Sequence, residues 1–67
     1  MIAKKVGENI KEARKFKGMT QKEVAELFHM TQQQYSRFEN GVFELNYQQI
    51  LEICKLFDIT PNDIFDI

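Results

Sequence analysis

The chain contains one cysteine, one proline and one histidine, and no long apolar run. A lone Cys54 excludes an internal disulfide. With no signal-peptide pattern beside it, the expected compartment is the cytoplasm. His29 and Cys54 are too few for the ligand set of a structural metal, so no metal or other cofactor is expected. Without an apolar stretch of about 20 residues, nothing spans a membrane. No segment alternates apolar and polar residues between turn residues, so strands are not expected. Repeats, low-complexity tails and linkers are missing too.

Length is also scarce. Sixty-seven residues make a single domain, 1–67, near the lower limit for a chain that builds its own core. Such a core leaves little room for an enclosed substrate pocket, and no small-molecule ligand is evident. No nucleophile–base pair or carboxylate dyad is placed for catalysis. An enzyme is not expected.

The net charge of −1 argues, on its face, against a polyanionic partner. Its distribution says more. Residues 1 to 30 hold seven basic against four acidic side chains, a net of +3; residues 31 to 67 hold two against six, a net of −4. Local field steers a partner more than the total does.

What the chain has in quantity is helix starts. Thr20 to Glu23 and Thr31 to Gln34 both match a capping box, in which a threonine and a Glu or Gln three residues on satisfy each other's backbone donors. Asn46 with Gln49 repeats the pattern, and Thr60-Pro61 supplies a cap followed by proline at the first helical position. Gly18 and Asn40-Gly41 act as stops. Five helices are predicted, roughly 3–17, 20–28, 31–40, 46–57 and 60–66. Apolar stripes run through Val6, Ile10 and Ala13, through Val24, Ala25 and Phe28, and through Tyr47, Ile50, Leu51, Cys54 and Phe57. The fold class is all-α and compact. Only His29 and Met30 separate helix 2 from the cap of helix 3, which forces a steep crossing of the helix-turn-helix kind.

Helix 3 has two dissimilar faces. At about 100° per residue, Gln32, Gln33, Ser36, Arg37 and Asn40 share one arc of about 140°. Tyr35 and Phe38 lie opposite and pack inward, while Gln34 turns back to the cap. The outward arc carries amides, a hydroxyl and a guanidinium, with no carboxylate. A glutamine amide can pair with adenine N6 and N7, an arginine with guanine O6 and N7, and a helix fits the major groove. The helix start at Thr31, with free N–H groups, suits a phosphate. The bland alternative is a polar face that is simply hydrated.

Val6-Gly-Glu-Asn-Ile10, Arg14, Lys17-Gly-Met-Thr-Gln21, Val24-Ala25, Met30-Thr-Gln32, Ser36-Arg37-Phe38-Glu39-Asn40-Gly41 and the segment from Ile50 to Phe65 resemble the phage repressor/Cro-type helix-turn-helix family (XRE) over nearly the whole chain. The resemblance implies a five-helix lambda-repressor-like DNA-binding domain with helices 2 and 3 as the motif. It implies that Gln21 binds a backbone phosphate and braces Gln32, the adenine reader, and that Gln33 and Arg37 make further base contacts. Asn40 matches a position near the phosphates. Arg14 and Glu39 resemble a semi-buried ion pair tying helix 1 to helix 3, a structural role. Three departures stand out. His29 occupies a turn position where glycine is usual, at a cost on the order of 1 kcal/mol in left-handed conformation. Phe43 and Glu44 lie where relatives often carry basic residues, which weakens or re-angles DNA binding. Leu45 stands where a proline often is.

The expected function is a sequence-specific transcriptional regulator, such as a Cro-like repressor, reading double-stranded DNA with helix 3 as a homodimer on a palindromic operator. Base contacts are expected from Gln32, Gln33, Ser36 and Arg37, and phosphate contacts from Gln21, Lys22, Thr31 and Asn40. For Lys15, Lys17 and Lys22 plain solvation is weighed at least equally with phosphate contact. Leu56, Ile64, Phe65 and Ile67 are candidates for the dimer contact; Ile64 and Phe65 fit the monomer's own core equally well. The alternative class is a protein-interaction module, an antitoxin or anti-repressor built on the same fold.

Overall fold

The last four helices each begin where a side chain replaces a missing backbone partner. The computed structural model describes residues 2–67 and contains α1 (Ile2–Phe16), α2 (Gln21–Leu27), α3 (Gln32–Glu39), α4 (Tyr47–Phe57) and α5 (Pro61–Phe65). Thr20, Thr31, Asn46 and Thr60 are the N-caps of α2 to α5, and all four form reciprocal capping boxes. In α3 the Gln34 backbone N–H donates to Thr31 Oγ1 at 3.1 Å, while the Thr31 backbone N–H donates to Gln34 Oε1 at 2.8 Å. The caps stand outside their helices with extended backbone, so α2 to α5 start one residue later than the sequence pattern suggests.

The ends of α1, α2 and α3 share one geometry. After α2, the His29 N–H donates to Glu26 O and the Met30 N–H to Ala25 O, the paired bonds of a Schellman motif. The same pairing closes α1 at Gly18-Met19 and α3 at Gly41-Val42. This motif needs a left-handed residue, and the chain supplies Gly18, His29 and Gly41 at φ of 72°, 56° and 75°. Asp58 does the same after α4, at φ 56°. Histidine at this place carries strain that glycine does not.

The core consists of Val6, Ile10, Val24, Ala25, Tyr35, Ile53, Cys54, Phe57 and Ile64. Each fully buried isoleucine or phenylalanine stabilises the fold by about 2 kcal/mol. Helix α1 is the hub, packing against α3, α4 and α5, while α2 packs on α3. Gly7 permits the close crossing of α1 and the end of α3. A Cβ there would lie 2.5 Å from Phe38 O and closer still to Glu39 O. Asn9 Nδ2 adds a 2.7 Å hydrogen bond to Ile64 O, tying α1 to α5.

Two expectations need correction. The buried face of α4 is Ile53, Cys54 and Phe57, with Ile50 partly covered; Tyr47 is 89% exposed and Leu51 59%. Residues 47/50/51/54 and 50/53/54/57 both satisfy the i, i+3, i+4, i+7 spacing, and the second set faces the core. Among the dimer candidates, Ile64 is completely buried in the chain's own core and has no surface to offer. Phe65 and Leu56 are half-buried against the same cluster, and Ile67 is exposed.

Gly7→Ala is expected to lower stability by about 2 kcal/mol despite alanine's better helix propensity, because backbone carbonyls stand in the way. His29→Gly is expected to raise it by about 0.5 kcal/mol, relief of the left-handed strain exceeding the added freedom of the unfolded chain. Denaturant midpoints measure both.

Candidate nucleic-acid interface

A buried charge cannot stand alone, and this fold buries two. Arg14 on α1 and Glu39 at the end of α3 are 7% and 3% exposed. Arg14 Nε donates to Glu39 Oε2 at 2.7 Å and Nη2 to Oε1 at 3.3 Å. The remaining arm, Nη1, donates to Met19 O at 2.7 Å in the turn before α2. One guanidinium thereby joins α1, the α1–α2 turn and α3. Burial pushes the Glu39 carboxyl upward, but the hydrogen bonds from Arg14 and Gln21 outweigh it and hold the group below its ordinary range. Glu39, through its hydrogen bond first, raises the Arg14 guanidinium in turn. Tyr35 lies beside them, its hydroxyl buried without a hydrogen-bond partner. Burial first, and then the nearby carboxylate, push its pKa far up.

From the ion pair a chain of polar contacts runs outward. Gln21 Nε2 donates to Glu39 Oε1 at 3.0 Å. A carboxylate only accepts, so the Gln21 amide must turn its nitrogen inward and its oxygen outward. That oxygen also only accepts. It meets Gln32 Nε2 at 3.5 Å, a long and weak contact. Gln32 keeps its own oxygen and its second N–H free. An acceptor and a donor side by side on one exposed amide match the edge of adenine.

Gln21, Gln32, Gln33, Ser36 and Arg37 line one open, largely polar depression between α2 and α3. Lys22, Thr31 and Asn40 lie outside it. Lys22 is exposed on the first turn of α2. The Thr31 hydroxyl oxygen is taken by the capping bond. Asn40 caps the far end of α3, and its Nδ2 donates to Ser36 Oγ at 3.3 Å. Gln34 faces the cap rather than the depression.

One neighbour of the site escaped the sequence reading. Phe43, noted there only as a departure from the family pattern, has its ring beneath the Arg37 guanidinium, 5.5 Å from centroid to Cζ. No spacing rule links a loop aromatic to a helix residue six positions earlier. The Arg37 side chain therefore belongs to the depression and to the α3–α4 loop at once.

Glu39→Gln leaves Arg14 buried without a counter-charge and is expected to cost about 3 kcal/mol. The folded protein binds the Glu39 proton less readily than the unfolded chain does. The stability from this pair is therefore complete above the ordinary carboxylate value of 4.5 and fades as pH falls below it. Thermal melts between neutral and acid pH should show a steeper acid loss for the wild type than for Glu39→Gln.

A family model described as a helix-turn-helix domain matches residues 7–66. Antitoxin PezA of Streptococcus pneumoniae serotype 4 is 36% identical over 59 residues, covering 88% of this chain and 37% of that relative. The chain thus spans little more than a third of that protein's length. No solved structure matches it. Among the described residues no helix is long and apolar enough to cross a membrane. With the family model reaching from α1 to the last turn of α5, and α2 and α3 joined by the tight turn at His29, the chain belongs to the helix-turn-helix domain family, of the phage repressor/Cro type that its motifs resemble.

Proposed function

We propose that residues 1–67 form one DNA-binding domain of a sequence-specific transcriptional regulator, with no catalytic activity of its own. In this reading α3 enters the major groove, Gln32 reads adenine, and Gln33, Ser36 and Arg37 extend the reading along the helix. Gln21, Lys22, Thr31 and Asn40 meet the phosphates from either side. The observation that carries it is the Gln21 amide, anchored inward on buried Glu39 and turned outward onto Gln32. A merely hydrated face has no use for an amide oriented from the core. Two copies on half-sites about 34 Å apart make the operator palindromic. With Ile64 withdrawn into the core, Ile67, Phe65 and Leu56 remain as contacts for that dimer.

A second reading draws on the similarity to a protein named an antitoxin. In that reading the fold of this chain holds a protein partner. Exposed Tyr47 and Leu51, one turn apart on α4, favour it as an additional surface.

Selection from a randomised duplex pool at two salt concentrations separates the readings. A palindromic consensus whose affinity falls steeply with salt is expected; no enrichment even at low salt defeats the DNA reading. Gln32→Ala and Gln33→Ala should relax base preference with the fold intact. Gln34→Ala should cost up to about 1 kcal/mol of stability with preference unchanged. An altered consensus from Gln34→Ala alone would overturn the assignment of faces.

A further inference from the structure

Among the residues of the reading face, Arg37 is the one whose side chain has most freedom in principle and a defined seat in fact. The seat is built by the α3–α4 loop. After left-handed Gly41 the chain folds back on α3, and the Val42 and Phe43 N–H groups both donate to the Arg37 carbonyl, at 2.9 and 3.3 Å. This places Phe43 against the residue whose carbonyl it binds. The Phe43 ring packs with Phe38 in an edge-to-face pair, with centroids 6.3 Å apart at an interplanar angle of 63°. The Arg37 guanidinium lies over the Phe43 ring. Phe43 itself remains 47% exposed. An apolar ring half in water, held by a partly buried neighbour and a double backbone anchor, is arranged to receive a flat cation. A guanidinium held over a ring spends no N–H group on the contact, and those groups are the ones that pair with guanine O6 and N7.

Resting on the DNA reading above, we propose that Phe43 is a positioning residue for sequence recognition: its ring holds the Arg37 guanidinium in one orientation, so that Arg37 discriminates a base pair instead of ranging between bases and phosphates. The Phe43 ring keeps Arg37 at the depression that it lines with Gln32 and Gln33.

The test is a double-mutant cycle on the duplex that the wild type selects, with single base-pair changes in each half-site. Phe43→Leu keeps the residue apolar but removes the π face. It should reduce discrimination by about fivefold at the base pair whose reading depends on Arg37, and leave the Gln32-dependent pair unchanged. Phe43→Tyr should retain wild-type discrimination. In an Arg37→Ala background Phe43→Leu should have no further effect. In the free protein, the Arg37 side-chain protons should show an upfield ring-current shift that Phe43→Leu abolishes and Phe43→Tyr keeps. Unchanged discrimination in Phe43→Leu, an equal loss in the Arg37→Ala background, or no ring-current shift would each overturn the positioning role. A wild type that selects no duplex defeats the DNA reading itself, and this inference falls with it; a wild type that selects one while Phe43→Leu matches it defeats the inference alone.

Discussion

Almost everything in this small domain refers back to the pair formed by Arg14 and Glu39. Two opposite charges taken out of water have to be complementary in geometry as well as in sign, since each alone is costly to bury. Here the guanidinium uses its fork on the carboxylate and its third arm on the Met19 carbonyl. Three parts of the chain are thereby joined through one pair of side chains. The pair also decides which way the Gln21 amide points, and so which atoms of Gln32 remain free. Core electrostatics and surface chemistry are one connected system.

Much of this was legible in the residues. The capping boxes at Thr20, Thr31, Asn46 and Thr60 announce helix starts because their chemistry is local, each hydrogen bond spanning only three residues. Separating Gln34 from Gln32 and Gln33 needed only the helical period and that same local bond. The α4 face was harder. Tyr47 and Leu51 satisfy the same spacing as Ile53 and Phe57, and only the position of α1 and α5 selects between them. Ile64 illustrates a similar limit, because an apolar residue near the chain's end reads alike whether a core or a partner covers it. The Phe43 seat beneath Arg37 was not legible at all, since it depends on how the loop after Gly41 folds back. Local signals carried the elements; long-range packing carried the faces.

Strain and permissiveness are distributed unevenly along the chain. Gly18 and Gly41 take the left-handed turns without penalty, whereas His29, in the turn of the helix-turn-helix unit, takes one at a cost. Tyr35 is a second local expense, a buried hydroxyl with no partner next to the ion pair. Both lie within the α2–α3 unit and close to the anchored amides. Asp58 and Asp66, left-handed after α4 and α5, carry the same kind of strain elsewhere, so the most stable arrangement of this fold and the one this chain adopts differ at several turns.

Gly7 has a mechanical consequence. Where most helix crossings are cushioned by interlocking side chains that can exchange rotamers, α1 meets the end of α3 through bare backbone, against the carbonyls of Phe38 and Glu39. Peptide planes do not repack. The joint behaves as a weld rather than a hinge, so α3 has no independent tilt. Whatever surface it approaches, the angle of approach is that of the entire molecule, and a better fit must come from moving the whole body or deforming the target.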